Sequence, residues 1–243
     1  MTGAIIQARM GSTRLPGKAL LDIDGMSMLA RVVDRTRRAR TVDRVIVATT
    51  TKTEDDPLVE HARDLPVDIY RGDEGDVLDR YYQAASHHSL DIVVRITSDC
   101  PLLDPGLTDA VVRPLLDPGS PVDYSANTIT RTYPRGLDVE AVPFATLERV
   151  WRDATSDHER AHVFPYVYEH PEAFSIVGIA DPIDRSDMRW TVDTREDLAF
   201  VREVYRALGP REFTWKDVLA VLEARPELLR INASVRQKSA HDR

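Results

Sequence analysis

Four short apolar runs punctuate the first hundred residues: Ala4–Ala8, Arg44–Thr50, Val67–Tyr70 and Asp91–Thr97, each β-branched and flanked by polar residues. Runs of this kind suit strands covered on both faces. Helical patterns lie between them. Met28, Leu29, Val32, Val33 and Thr36 recur at helical spacing after Gly25, Asp55-Asp56-Pro57 places acids and a proline in a first turn, and Asp76 to His87 supplies a third helix. Strand alternating with helix requires right-handed crossovers. The expected fold is therefore α/β and Rossmann-like, with a mainly parallel central sheet. Such a sheet binds ligands beyond the carboxyl ends of its strands. Four loops fall there: Arg9–Lys18, Thr49-Thr50, Arg71–Asp76 and Ser98–Pro101.

The second half is less regular. Val122–Tyr124 and Leu137–Val142 are expected as antiparallel strands near an edge, forming a substrate subregion, with Phe174–Ile179 and Arg189–Val192 as returning strands. Helices are expected over Phe144–Asp153, Asp157–Tyr168, the stripe Leu198, Val201, Val204, Tyr205, Leu208 that Gly209-Pro210 ends, and Trp215–Leu222. The chain of 243 residues fits one α/β domain over residues 1–232, and the polar, aperiodic stretch 233–243 reads as a disordered tail. No window approaches the ~18 apolar residues of a membrane span. The first strand starts at once, so no signal peptide is expected. One cysteine, Cys100, excludes an internal disulfide and suits a reducing cytoplasm. The formal charge of −8 argues against nucleic acid as a partner. The oligomeric state stays open, a homodimer included.

Within that acidic chain, Gly3 to Lys18 reads GAIIQARMGSTRLPGK. A strand runs into a loop carrying Gly11, Pro16 and Gly17 with Arg9, Arg14 and Lys18. Glycines let backbone N–H groups approach phosphate oxygens, arginine forks pair with phosphate bidentately, and lysine supplies a point charge. The only other lysines are Lys52, Lys216 and Lys238, so the one closing this loop is not drawn from an abundant pool. The loop is not an ATPase P-loop: five residues separate its glycines, and Ala19, not a hydroxyl residue, follows the lysine. Nor does it carry the three glycines of a dinucleotide fingerprint. Further on, Asp99 in VVRITSDCPLLDP and Asp193 in RWTVDTREDL each sit at a strand-to-loop junction. Each suits a magnesium ligand beside a polyphosphate, and each equally suits a helix cap.

The ARMGSTRLPGK form resembles the signature loop of the sugar nucleotidyltransferases. It is most similar to the cytidylyltransferases that activate 3-deoxy-sugar acids, and within them to the SpsF-like branch, over roughly residues 3 to 208. The resemblance implies a nucleotide-diphospho-sugar transferase fold. It implies a Mg²⁺-dependent transfer of CMP from CTP to a small anionic acceptor, a 3-deoxy-2-ulosonic acid or a phosphonate, with release of pyrophosphate. Asp99 and Asp193 then become the metal pair, and Arg9, Arg14, Lys18 and Asp99 the catalytic set. The nucleotide would be held by Ala8, Arg9, Gly11, Ser12, Arg14, Lys18, Thr49, Asp73, Arg80, Arg95, Thr97 and Ser98. The segments YPRGLDVEAVP and DHERAHVFPY resemble the sugar-acid side, giving Arg135, Asp138, Glu140, Glu159, Arg160 and His162 to the acceptor. Ala161 and Phe164 stand where the family favours Glu and Thr, which puts the acceptor's identity in doubt.

His158-Glu159-Arg160-Ala161-His162 also reads as HExxH, a zinc-protease pattern. Its context is poor: Pro165 falls in the next turn where the longer pattern needs glycine, and no clear third ligand follows. Trp151, Trp190 and Trp215 lie on apolar stripes and read as core. Three rival functions share the scaffold: use of UTP or GTP, a glycosyltransferase, and a non-catalytic nucleotide sensor. Ser98-Asp99-Cys100 lacks the DxD metal motif a glycosyltransferase would favour.

Overall fold

The computed structural model describes residues 1–119 and 121–237. The strands among them are β1 Thr2–Gln7, β2 Asp22–Ile23, β3 Met26–Ser27, β4 Arg44–Thr50, β5 Asp68–Gly72, β6 Ile92–Thr97, β7 Tyr124–Ala126, β8 Glu140–Pro143 and β9 Ile176–Gly178. The α-helices among them are α1 Met28–Arg37, α2 Asp56–Arg63, α3 Val77–His87, α4 Pro105–Val112, α5 Phe144–Asp153, α6 Asp157–His162, α7 Pro165–Glu169, α8 Arg195–Leu208 and α9 Trp215–Ala224. Seven strands form one sheet in the order β5-β4-β1-β6-β8-β7-β9, and β2 pairs with β3 as a small hairpin. The first four strands of that order are mutually parallel, β8 runs antiparallel to both β6 and β7, and β9 is parallel to β7. Among the described residues no helix is long and apolar enough to cross a membrane.

Two-sided burial explains the apolar runs. Along β1, Ile5 packs with Leu78 and Tyr81 of α3 and Leu147 of α5 on one face. Ala4 and Ile6 pack with Leu29 and Val32 of α1, Leu58 of α2 and Val111 of α4 on the other. Each such fully buried aliphatic contributes about 1.5–3 kcal/mol relative to exposure. A third cluster gathers Leu15, Met28, Leu137, Trp190 and Val192 against α8 and α9 through Leu198, Val201, Trp215 and Val218. The C-terminal helices thereby close over the loop that carries the cations. Of the three tryptophans, Trp190 and Trp215 are core, while Trp151 is half-buried with its indole N–H on Asp79 at 2.9 Å.

The structure departs from expectation in four places. The strand expected at Leu137–Val142 near an edge starts only at Glu140 and lies inside the sheet; Ala141 and Val142 are fully covered, as an interior strand must be. The helix expected over Asp157–Tyr168 is two, α6 and α7. Pro165 opens α7, and Val163 turns the chain at φ 78°, because the residues before a proline avoid continuing a helix. Arg189–Val192 is not a strand; its backbone instead pairs with Arg135 and with Asp99. Helix α4, capped by Asp104 at 2.8 Å from the Leu107 amide, was not read from the sequence. Of the tail 233–243, the Val235 amide donates to the Asn232 carbonyl at 3.0 Å and Gln237 accepts from Arg189, and 238–243 lie outside the described residues.

Within this irregular half two backbones cross closely at Gly136. Its φ is 107°, and a Cβ there would lie 2.5 Å from the Thr191 nitrogen and 2.6 Å from the Trp190 carbonyl carbon. Neither partner is a flexible side chain. Gly136→Ala should lower unfolding stability by roughly 1–3 kcal/mol or more, the scale of a residue forced into a strained backbone region. A denaturant midpoint equal to wild type would show that the crossing tolerates separation.

Candidate active site

The loop after β1 is closed on itself and tied down from below. The Met10 carbonyl accepts from the amides of Ser12 at 2.9 Å and Gly17 at 3.0 Å, and Gly17 takes a left-handed φ of 69° before Lys18 opens a short 3-10 turn. The Met10 amide donates to Asp55 Oδ1 at 2.7 Å. Asp55 is fully buried, and its other oxygen accepts from the amide and hydroxyl of Thr50. A buried carboxylate thus fastens the cationic loop to the end of β4. Ala8, Arg9, Gly11, Ser12, Arg14 and Lys18 then line a cavity of about 1710 Å³ at the carboxyl ends of the parallel strands.

Across that cavity two carboxylates converge on one ammonium. Lys18 Nζ donates to Asp99 Oδ2 at 2.8 Å, to Asp193 Oδ1 at 2.9 Å and to the Val192 carbonyl at 2.9 Å. Asp99 follows β6 and Asp193 precedes α8. They are brought together because the Val192 amide donates to the Asp99 carbonyl at 2.8 Å and the Thr191 hydroxyl to the same oxygen at 3.2 Å. Burial works to raise the Asp99 carboxyl, but the Lys18 charge and hydrogen bond outweigh it and hold it down at about 2. Burial likewise works to lower the Lys18 ammonium, and the two carboxylates together keep it raised. Burial, with the Asp99 charge beside it, pushes the neighbouring Cys100 thiol well up, which leaves it a poor nucleophile.

Asp193 is further braced. Its Oδ2 accepts from Arg14 at 2.9 Å and from Arg189 at 2.8 Å. Arg189 also pairs with the fully buried Asp197, which forms a capping box with Thr194 at the start of α8. Asn232 joins the pair, its amide donating to Asp197 Oδ1 and to the Arg189 carbonyl, both at 3.0 Å. Gln237 accepts from Arg189 and reaches the cavity wall. Neither Arg189 nor this end of the chain was singled out from sequence. The readable signal was the Thr194-x-x-Asp197 capping spacing.

The opposite wall carries the charged pairs of the irregular half. Arg95 pairs with Glu140, whose other oxygen accepts from the Tyr124 hydroxyl at 2.5 Å. Arg131, not predicted, pairs bidentately with Asp138 at 2.6 and 2.8 Å. Arg135 also lines the wall, and its guanidinium has no ion-pair partner among the described residues. Thr97, Ser98, Arg80, Ala161 and His162 complete the surface with Tyr168 and Glu74. Arg80 is buried, donates to the Asp73 carbonyl at 2.9 Å, and leaves its Nε without a partner.

Four predicted residues fall outside the cavity lining. Thr49 is buried in β4, Asp73 is turned to the amides of Gly75 and Asp76, and Glu159 accepts from Thr155 and Ser156 in the capping box of α6. Arg160 spends its guanidinium on Asp76, at 2.9 and 3.0 Å through Nε, and on the Trp151 carbonyl at 2.7 Å. Of the HExxH segment, Ala161 and His162 line the cavity; His158 lies 3.8 Å from Glu169. Phe164 is fully buried against Tyr124.

A mainly parallel sheet, a cationic glycine loop and a carboxylate pair at its carboxyl edge define a nucleotidyltransferase. The chain belongs to the cytidylyltransferase family, whose model matches residues 3–214. It is 31% identical to the spore coat polysaccharide biosynthesis protein SpsF of Bacillus subtilis over 231 residues, 92% of this chain and 94% of that one. It is 40% identical to the 3-deoxy-manno-octulosonate cytidylyltransferase of Geobacter sulfurreducens over 116 residues, 47% of this chain and 45% of that one. The solved structure of a cytidylyltransferase from Leptospira borgpetersenii superposes with a TM-score of 0.91 at 33% identity, covering 97% of this chain and 99% of that one.

The depressed Asp99 gives a pH signature. A carboxyl held below its ordinary value adds stability that is complete above about pH 4 and is lost as pH falls towards about 2. At neutral pH that contribution is on the order of 2 kcal/mol. The stability difference between wild type and Asp99→Asn should therefore shrink steadily between about pH 4 and pH 2. A difference that stays constant over that range, measured by denaturant titration, would refute the pairing.

Proposed function

We propose that this enzyme transfers CMP from CTP to an anionic acceptor, a sugar acid of the 3-deoxy-2-ulosonic type, releasing pyrophosphate. The observation that carries the reading is the meeting of Asp99 and Asp193 on one cation within the same cavity as the signature loop. Two carboxylates fit Mg²⁺, which takes one or two protein carboxylates and completes its octahedron with water and phosphate oxygens. When bound there, Mg²⁺ would supply positive charge at the α-phosphate. Arg9, Arg14 and Lys18, carried on one loop, would neutralise the departing pyrophosphate. Arg80, Arg95, Thr97 and Ser98 would face the nucleoside. The acceptor oxygen bonds to the α-phosphorus as the bond to pyrophosphate breaks, a reaction that asks chiefly for positioning and charge.

On the acceptor side the pattern of pairs supports Arg135 as the anchor. Arg95 and Arg131 are each matched by a carboxylate, whereas Arg135 is not. Asp138, Glu140 and His162 share that wall and could accept or donate to sugar hydroxyls. Arg160 would act only through Asp76 and the start of α3. Ala161, small and on the wall, leaves room that a larger side chain would take. The test is pyrophosphate release with CTP, UTP, GTP and ATP against a panel of 2-keto sugar acids and phosphonates. Preference for a nucleotide other than CTP, or turnover with phosphonates alone, would overturn the reading in its nucleotide or acceptor half respectively. Arg135→Ala should raise the acceptor KM or lower kcat by about 10- to 100-fold, the scale of a charged hydrogen bond. The KM for CTP should stay near wild type; an equal loss for both substrates would place Arg135 on the triphosphate.

A further inference from the structure

The three cations of the signature loop are all engaged by carboxylates before any substrate arrives. Arg9 pairs with Glu74 at 3.3 Å, Arg14 with Asp193 at 2.9 Å, and Lys18 with Asp99 and Asp193. Lys18 differs from the other two. An ammonium has three N–H donors, and here all three find acceptors, at 2.8, 2.9 and 2.9 Å. Its nitrogen sits between the two carboxylates and is mostly covered, with 12% of the side chain exposed. Those two carboxylates are far apart in sequence, at positions 99 and 193, and would repel each other across the gap without a cation between them.

From this geometry we propose that Lys18 is a placeholder cation. In the free enzyme its ammonium keeps Asp99 and Asp193 together and denies their shared position to a divalent ion. The triphosphate then draws the ammonium onto its own oxygens and opens the pair. The inference rests on the proposed assignment of Asp99 and Asp193 as the metal pair and extends it to binding order. A divalent ion and an ammonium cannot share that position, so metal affinity depends on where Lys18 is. Nucleotide and metal must consequently bind with positive coupling, each tightening the other by the same factor.

The experiment measures Mn²⁺ binding from the free-ion electron paramagnetic resonance signal, with and without the unreactive α,β-methylene analogue of CTP. Wild type should bind Mn²⁺ at least ~10-fold more weakly without the analogue than with it. Lys18→Met and, independently, Lys18→Gln should gain at least ~10-fold in nucleotide-free Mn²⁺ affinity over wild type. Adding Asp193→Asn to either should erase the gain, while Lys18→Arg, which keeps the charge, should leave affinity low. Thermal melts establish that each variant is folded. Neutral variants that bind Mn²⁺ no better than wild type would overturn the placeholder role. The underlying assignment fails separately: if Asp99→Asn leaves Mn²⁺ binding in the analogue complex unchanged, the metal is not held there at all.

Discussion

One ammonium organises this protein's site. Lys18 leaves the loop after β1, Asp99 leaves β6, and Val192 and Asp193 lie at the entrance to α8; Lys18 Nζ offers its three donors to them, alongside the direct backbone bond from the Val192 amide to the Asp99 carbonyl. The lysine carries its charge into a nearly closed place, where an unpaired ammonium would be costly and a single ion pair would scarcely compensate for lost hydration. Two carboxylates and a carbonyl do compensate, and the net result is an Asp99 held ionised far into acid. The sheet supplies the frame, since β1 and β6 are neighbours and both deliver their loops to the same edge. The C-terminal helices supply the third corner, which explains why α8 and α9 pack over Leu15 and Met28 next to the cationic loop.

The bracing of Asp193 continues outward in a chain of polar contacts. Arg189 holds Asp193, Asp197 holds Arg189, and Asn232 bridges Asp197 to the Arg189 backbone. Each member is satisfied by the next, the condition under which a buried polar network gives rigidity and not merely desolvation cost. Gly136 belongs to the same structure from the other side. By letting two backbones touch, it sets Arg135 and Asp138 at a fixed distance from the Arg189–Asp193 segment.

Much of this was legible because strands buried on both faces and helices with caps write simple patterns. The strand Arg44–Thr50 and the helix Phe144–Asp153 were readable to the residue, and α3 began one residue after Asp76 because Asp76 caps it at 2.8 Å from the Asp79 amide. The cationic loop and both aspartates were likewise visible as residue types, although the strand expected before Asp193 does not form. What sequence could not show was which arginines are already spent. Arg135 and Arg160 look equivalent in a string of letters. Only the fold reveals that Arg160 is turned onto Asp76, while Arg135 makes no ion pair among the described residues. Asp55 was read as part of a helix start, when its main contacts are to Met10 and Thr50. Long-range pairs of this kind leave no periodic signal.

The distribution of spent and unspent charge bears on how an acidic protein receives an anionic substrate. A net charge of −8 would repel a nucleoside triphosphate at long range. The cavity reverses that sign locally by concentrating arginine and lysine there, yet most of those cations are already neutralised by nearby carboxylates. Such pairing keeps the free site from storing a large unbalanced charge, and it gives the carboxylates fixed positions before substrate arrives. An incoming anion that displaces Asp99, Asp193 or Glu74 from a cation does not only gain that cation. It also frees a carboxylate at a defined place, ready for whatever positive group accompanies the substrate. On the proposed exchange, a bare anion that drew off Lys18 would leave Asp99 without the cation that holds it, which favours an anion bearing its own divalent counter-ion.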